Sequence, residues 1–366
     1  MIKLSKPYFP PEAIDKVSEV LVSGNLIQGE FVLKFEQKLK EFLGVKHAII
    51  VSNGTAALHL SLISLGIGPG DEVIVPAFTY PATANVVELI GARPVFVDIG
   101  LDDFCIDTTL IEKAITSRTK AIMPVHEFGQ SARMDEILRI ASQYRLFVVE
   151  DAACALGTEF SGQKVGTFGE LGCFSFHPRK AITTGEGGTI VTNDDSLAAK
   201  LRALRNHGIE LINGKIDFTC AGFNYRMTDF QAALGYFQML VIDAFIQERI
   251  LVADGYTTRL SGVPFIKTPA LIAGRKNVYQ TYHVLLDSKI NRDDLKKAMF
   301  EKGIETNYGA NALPLLQFYR EKYHLHEDDF PNSVISYKQG LALPLSHYVN
   351  EAEIITVCKE LTSLIQ

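Results

Sequence analysis

Lys180 stands in Ser175-Phe-His177-Pro-Arg-Lys180-Ala-Ile-Thr-Thr184-Gly-Glu-Gly-Gly188, two residues past a proline and just before an apolar pair and three glycines. A surface lysine beside a β-turn needs no such surroundings. Among neutral groups and tight backbone a lysine's pKa falls, and its amine becomes a nucleophile or a base. Glu150 and Asp151 end the apolar run Leu146-Phe-Val-Val. Carboxylates there either face the ligand crevice of an α/β sheet or cap a helix. In a crevice they need a cation, and a protonated heterocyclic nitrogen is one. Ser52-Asn53-Gly54-Thr55-Ala56 joins a strand-like run to a helical one. Free amides at that helix start suit a phosphate, with the Thr55 hydroxyl beside them; the alternative is a plain N-cap turn. Asn224 and Arg226, ahead of a Thr228 or Asp229 cap, are further polar candidates or structural residues.

These groups need a scaffold that brings strand ends together. Short apolar runs at Ala48–Val51, Glu72–Val75, Pro94–Asp98, Ala121–Val125, Leu146–Glu150, Gly172–Phe176 and Thr189–Thr192 read as strands buried on both faces. Between them Thr55–Leu65, Pro81–Ile90, Thr109–Ile115 and Asp135–Tyr144 have helical length. The pattern predicts a three-layer α/β/α domain. Beyond residue 195 long helices are expected at Ser196–His207 and Thr228–Leu260, with no strand between them. A strand at Tyr282–Leu286, a helix at Arg292–Lys302 and a last helix through Ile354, Cys358 and Leu361 follow. The reading divides the chain into a large domain, 1–245, and a smaller C-terminal α+β domain, 246–366.

The 366 residues are 47% hydrophobic and 21% charged, enough apolar surface for a large core. With 36 Lys+Arg against 42 Asp+Glu, a broad nucleic-acid surface is not expected. No secretory signal or membrane span is legible, and five scattered cysteines suggest a reducing cytoplasm with no disulfides. His324 and His326 lack ligand-spaced partners, so no metal is expected. Gly66-Ile-Gly68-Pro-Gly70 follows a helix and precedes a strand, the wrong order for a dinucleotide fingerprint.

Together the segments resemble the DegT/DnrJ/EryC1/StrS family of sugar aminotransferases over nearly the whole chain. The likeness rests on Ser52-Asn-Gly-Thr-Ala56, Gly68-x-Gly-Asp-Glu-Val-Ile-Val-Pro76, Phe78-Thr-Tyr-x-Ala-Thr-Ala-Asn85 and Pro94-Val-Phe-Val-Asp98. It continues through Pro124-Val-His-x-x-Gly-Gln130, Glu150-Asp-Ala-Ala153, Ser175-Phe-His-Pro-x-Lys180, Gly185-Glu-Gly-Gly188 and Asn224-Tyr-Arg-Met227. The resemblance implies the aspartate-aminotransferase fold (fold type I) and pyridoxal 5'-phosphate, cycling through pyridoxamine phosphate. It implies that Lys180 carries the cofactor and shuttles the proton, and that Asp151 pairs with the pyridine nitrogen. Tyr80 would stack on the ring. Gly54, Thr55, Ala56 and Ser175 would hold the phosphate, and Asn224 would reach it from the second subunit of a homodimer. Gly185, Gly187 and Gly188 are expected, with Gly54, to bring backbone close to the cofactor. Cys154 stands where many members carry Gln or His near the cofactor's 3-hydroxyl. Tyr308-Gly-Ala-Asn311-Ala-Leu-Pro314 lacks the His many members carry there, so no sugar contact is carried over.

The implied activity is transfer of the amino group of L-glutamate to a nucleotide-linked keto-sugar, a 4-keto-6-deoxyhexose. A 3-keto nucleotide sugar or a cyclitol ketone is the alternative within the class. The family's dehydratases replace the lysine by His, which Lys180 argues against. A non-catalytic regulatory or binding protein on the same fold would be expected to have lost Lys180 or Asp151. Substrate-selecting loops are expected around residues 10–30, 177–186 and 305–326.

Overall fold

The computed structural model describes residues 1–365. Seven strands make the central sheet: β1 (His47–Val51), β2 (Glu72–Pro76), β3 (Arg93–Val97), β4 (Thr119–Ile122), β5 (Phe147–Asp151), β6 (Leu171–Ser175) and β7 (Gly188–Thr192). Their order is β1-β7-β6-β5-β4-β2-β3. From β6 to β3 every neighbouring pair is parallel, while β7 runs antiparallel to both β6 and β1.

Both faces of the sheet are covered, which is why its strands read as continuous apolar runs. The helices around it are α1 (Pro11–Ser23), α2 (Glu30–Leu43), α3 (Gly54–Ser64), α4 (Ala82–Leu89), α5 (Thr108–Ala114), α6 (Met134–Tyr144), α7 (Asp195–Arg205), α8 (Asp229–Met239) and α9 (Ile242–Leu260). In β1, Ile49 and Val51 pack with α3, α4 and α7 on one face, and Ala48 and Ile50 pack with α2 and α8 on the other. That second face continues under α5 and α6 against Ile74, Ile122 and Val148. Each buried Phe, Leu or Ile of these layers contributes about 1.5–3 kcal/mol. The structure thus has the predicted three layers.

Three expectations change. Residues 10–30 are largely helix: α1 has Pro11 in its first turn, and Gly24 at φ 73 ends it. The stretch between α7 and α8 holds a hairpin, β8 (Ile209–Ile212) and β9 (Lys215–Phe218), joined by Asn213-Gly214 at φ 51 and 77. Asn-Gly between alternating apolar residues is a strong hairpin signal, and the helical texture on either side masked it. The single long helix expected from Thr228 to Leu260 is two, broken at Leu240–Val241 without Gly or Pro.

α9 passes from one core to another. Ile242, Phe245 and Ile246 belong to the core under the sheet, whereas Val252, Ala253, Tyr256 and Leu260 belong to a second one. The second core is built on an antiparallel sheet of β10 (Ile266–Lys267), β11 (Tyr282–Leu286) and β12 (Gly340–Leu343), with α10 (Arg292–Glu301) against it. Further along lie α11 (Gln317–Tyr323), α12 (Pro331–Gln339) and α13 (Glu351–Ile365). Asp98, just past β3, accepts the Asn332 and Ser333 amides at 2.9 and 2.8 Å, anchoring the start of α12. Among the described residues no helix is long and apolar enough to cross a membrane, and no His/Cys/Asp/Glu cluster could hold a metal.

Candidate active site

A cavity of about 870 Å³ opens where the carboxyl ends of the parallel strands meet residues 307–310 and 342–345. Gly54, Thr55, Ala56, Tyr80, Asp151, Cys154, Ser175 and Lys180 all line it, as do Thr83 and Glu127. Sequence candidates drawn from a span of more than 120 residues therefore converge on one space. Asn224 does not: it is exposed and lies outside this cavity. Arg226 is bonded to Asn206.

Period-two alternation along β5 sends its two terminal carboxylates to opposite sides. No helix follows them, so neither is a cap. Asp151 faces the cavity and is buried, with one oxygen accepting from the Thr83 hydroxyl at 2.8 Å and the other from the Ala153 amide at 3.1 Å. Burial raises its pKa, against the opposing pull of these bonds and of Lys180. A buried carboxylate whose hydrogen bonds come from neutral groups is suited to a cationic partner. Thr83, in the first turn of α4, belongs to the Phe78–Asn85 motif, but no role was assigned to it from the sequence.

Glu150 points the other way and accepts the amides of Gly166, Phe168 and Gly169 at 2.6, 2.7 and 2.8 Å. It also meets His126 Nε2 at 3.0 Å. His126 Nδ1 accepts the Ala132 amide at 3.1 Å, so Nε2 carries the proton and donates to Glu150. The His126 amide in turn donates to the Asp151 carbonyl at 3.0 Å. The pair is buried and locks the strand end that presents Asp151. Replacing Glu150 by Ala leaves His126 and three amides unsatisfied and is expected to cost about 3–5 kcal/mol. Chemical denaturation followed by circular dichroism measures it.

Lys180 is partly buried and donates from Nζ to Cys154 Sγ at 3.0 Å. The sequence placed it among neutral groups, with a lowered pKa. Burial does act to lower it, but Cys154 and the carboxylates of Glu127 and Asp151 outweigh burial, and the pKa is raised. Tertiary packing supplies those neighbours, the two carboxyl groups bringing the charge; burial keeps the Cys154 thiol protonated. Glu127 is buried too, pushed up to about 7 by burial, with Lys180 opposing that shift. It sits past the end of β4, the same crevice position that drew attention to Asp151.

The Lys180 loop is fixed from behind. Gln238 of α8 holds both the amide and the carbonyl of Thr183, at 3.0 and 2.7 Å. Arg249 of α9 donates to the Lys180 carbonyl at 3.2 Å and to the Tyr279 and Gln280 carbonyls at 3.4 Å. Burial brings Arg249 down to about 10, still cationic at neutral pH.

At the start of α3, Asn53 accepts the Ala56 amide at 2.8 Å. The amides of Gly54 and Thr55 have no acceptor within the helix. A Cβ on Gly54 would lie 2.9 Å from Ser175 Cβ, and one on Gly188 would lie 2.6 Å from Asn53 carbonyl atoms. The glycine run corrects an expectation: Gly188 backs the Asn53–Gly54 turn, Gly187 packs on Thr184 and Met227, and of the four only Gly54 lines the cavity. Tyr80 is 71% exposed at the cavity wall.

Comparison with known proteins places this arrangement. The model of the DegT/DnrJ/EryC1/StrS aminotransferase family matches residues 8–362. A GDP-perosamine synthase of Caulobacter vibrioides is 42% identical over 341 residues, covering 92% of this chain and 91% of the relative. Among solved structures, Spr1654 of Streptococcus pneumoniae in its PLP form is 28% identical with a TM-score of 0.94, over 99% of this chain and 98% of that one. Helicobacter pylori PseC, an aminotransferase of pseudoaminic acid biosynthesis, is 29% identical with a TM-score of 0.94, again over 99% and 98%. The residues present fit pyridoxal phosphate: free amides for a phosphate, a buried carboxylate suited to a cation, and an amine lining the same cavity. The chain belongs to the DegT/DnrJ/EryC1/StrS aminotransferase family and is a pyridoxal-phosphate-dependent sugar aminotransferase.

Proposed function

We propose that the protein transfers the amino group of L-glutamate to a nucleotide-linked keto-sugar, a 4-keto-6-deoxyhexose. The observation that carries this reading is the cavity's extension. It shares Leu4, Ser5, Arg179 and Asn307 with an annexe of about 560 Å³ that Lys296 and Lys297 also line. The annexe acids Glu305 and Asp293 are already engaged by Lys3 and Arg292. Arg179, Lys296 and Lys297 have no salt-bridge partner among the described residues, so the annexe suits a diphosphate while the sugar faces Lys180. The 42% identity to a GDP-perosamine synthase supports the same substrate class.

When bound, pyridoxal phosphate supplies an electron sink at the carbon that loses or gains a proton. Lys180 would hold it and, as the free amine, would move that proton. Asp151 would keep the ring nitrogen protonated, and Tyr80 would cover the ring. Cys154, which Lys180 Nζ meets at 3.0 Å, would stand near it. The Gly54, Thr55 and Ala56 turn and Ser175 hold the phosphate, helped by the α3 dipole at about 0.3–1 kcal/mol. Asn224 completes the cradle from a second copy of the chain. Its exposure here supports that reading, as do the 72%, 71% and 65% exposed Leu211, Ile216 and Phe218 of the nearby hairpin.

The test is incubation with pyridoxal phosphate, L-glutamate and a panel of dTDP-, UDP- and GDP-linked keto-sugars, with mass spectrometry for ketone-to-amine exchange. Exchange on a 4-keto nucleotide sugar is expected. Reaction only with free cyclic ketones would overturn the substrate class.

A further inference from the structure

Glu127 has no part in the roles above, yet it lines the same cavity as Lys180 while only 4% exposed. It begins the tight turn Glu127–Gly129, in which Phe128 sits at φ 57. A bulky residue persists in that left-handed conformation only where its surroundings over-determine it. They do so here. The Phe128 ring stacks on His283 with centroids 4.4 Å apart, and its carbonyl accepts the Thr281 amide at 3.3 Å. The Gly129 carbonyl accepts the Thr158 hydroxyl at 2.6 Å. The turn is built to hold the carboxyl where it is.

The groups facing Glu127 come from every element around it. Lys180, Asp151, Cys154 and the Thr79 hydroxyl line the same cavity as Glu127, and Cys105 lies behind it. His126, next in the chain, turns its ring to Glu150. Burial pushes His283 down to about 3, so it carries no charge at neutral pH. Lys180 is therefore the cation of a cluster that contains two carboxyl groups.

We propose that Glu127 is a positioning residue for Lys180: its carboxylate charge holds Nζ as the ammonium, and its neutral, protonated form lets that proton go and frees the amine. Glu127 thereby sets the pH at which Lys180 becomes a nucleophile. Its titration near neutrality places that control in the working range. The sign is fixed by Coulomb's law. Removing a nearby negative charge lowers a lysine pKa, so a larger fraction is free amine at any pH below it.

The proposal rests on the aminotransferase reading of the cavity but not on the identity of the sugar. Its test uses the apo-protein and pyridoxal phosphate alone, with the capture rate followed by absorbance across pH. Glu127→Gln is expected to move the rate profile to lower pH and to speed capture at neutral pH, by about tenfold for each pKa unit lost from Lys180. Glu127→Asp should stay near the wild-type profile. Carboxyl-carbon NMR of the apo-protein should show a glutamate titrating near neutrality, absent in Glu127→Gln and moved to higher pH in Lys180→Met. A Glu127→Gln profile that superimposes on wild type, or is slowed without a pH displacement, overturns the proposal. So does a Glu127 carboxyl that titrates in the ordinary range. Either failure leaves the sugar panel unaffected, and failure of the panel leaves this result standing.

Discussion

Replacing Lys180 by alanine is expected to abolish covalent capture of pyridoxal phosphate and to reduce turnover by at least about 10²–10⁴-fold, the range for a positioned proton-transfer group. The amine is held by a loop anchored on Gln238 and Arg249, which leaves Nζ at the cavity and 3.0 Å from Cys154 Sγ. Nothing else lining the cavity offers a comparable amine: His177 is an imidazole and Arg179 a guanidinium. The loss should therefore not be rescued from within the site. Borohydride treatment of the loaded enzyme, followed by intact-protein mass spectrometry, checks the first part. Wild type should gain the cofactor's mass, and Lys180→Ala should not. Unchanged turnover in the variant would remove Lys180 from the chemistry. The variant should still fold, because the alanine also relieves the burial of a long cationic side chain.

The second large effect is expected at Asp151. Asparagine is close to isosteric there and can still accept one of the two bonds from Thr83 and Ala153. Its uncharged amide cannot keep a ring nitrogen protonated. Loss of one preorganised electrostatic group of this kind typically costs about 10²–10³-fold in rate, and Asp151→Asn is expected to fall in that range. The measurements are turnover and the absorbance spectrum of the loaded protein, with circular dichroism to establish an intact fold. Thr83→Val separates charge from placement. It removes the hydroxyl that fixes one oxygen but retains the carboxylate, so its loss should be much smaller. Comparable losses in the two variants would make orientation, not charge, the contribution of Asp151.

The scaffold was largely legible because its strands are buried on both faces. Seven apolar runs could not readily be solvated in any other way, and the observed strands begin and end within a few residues of them. Residues that combine unusual chemistry with a strand end or helix start were legible too: Asp151, Lys180, and the Asn53–Gly54 turn. The misses share a cause. The break at Leu240–Val241 has no Gly or Pro to announce it. Thr83 and Arg249 lie within helices whose own patterns do not show what they touch. That α9 serves both cores, with Ile242 and Phe245 in one and Val252 and Tyr256 in the other, is likewise not visible in its own pattern.

The amino-acid sequence by itself determined which groups exist, their order along the chain and the periodicities that force a three-layer sheet. Those are local properties of side-chain type and spacing. Only the tertiary structure decided the charge state of the site. Lys180 looked like a lysine among neutral neighbours, with a lowered pKa. Folding instead sets it beside the carboxyl groups of Glu127 and Asp151, which are 53 and 29 positions away in the chain, and raises it. A pKa depends on distance and burial in three dimensions, and sequence separation carries neither. For the same physical reason the glycines of 185–188 looked alike on the page, whereas packing sets Gly188 against Asn53, Gly187 against Thr184 and Met227, and leaves space around Gly185.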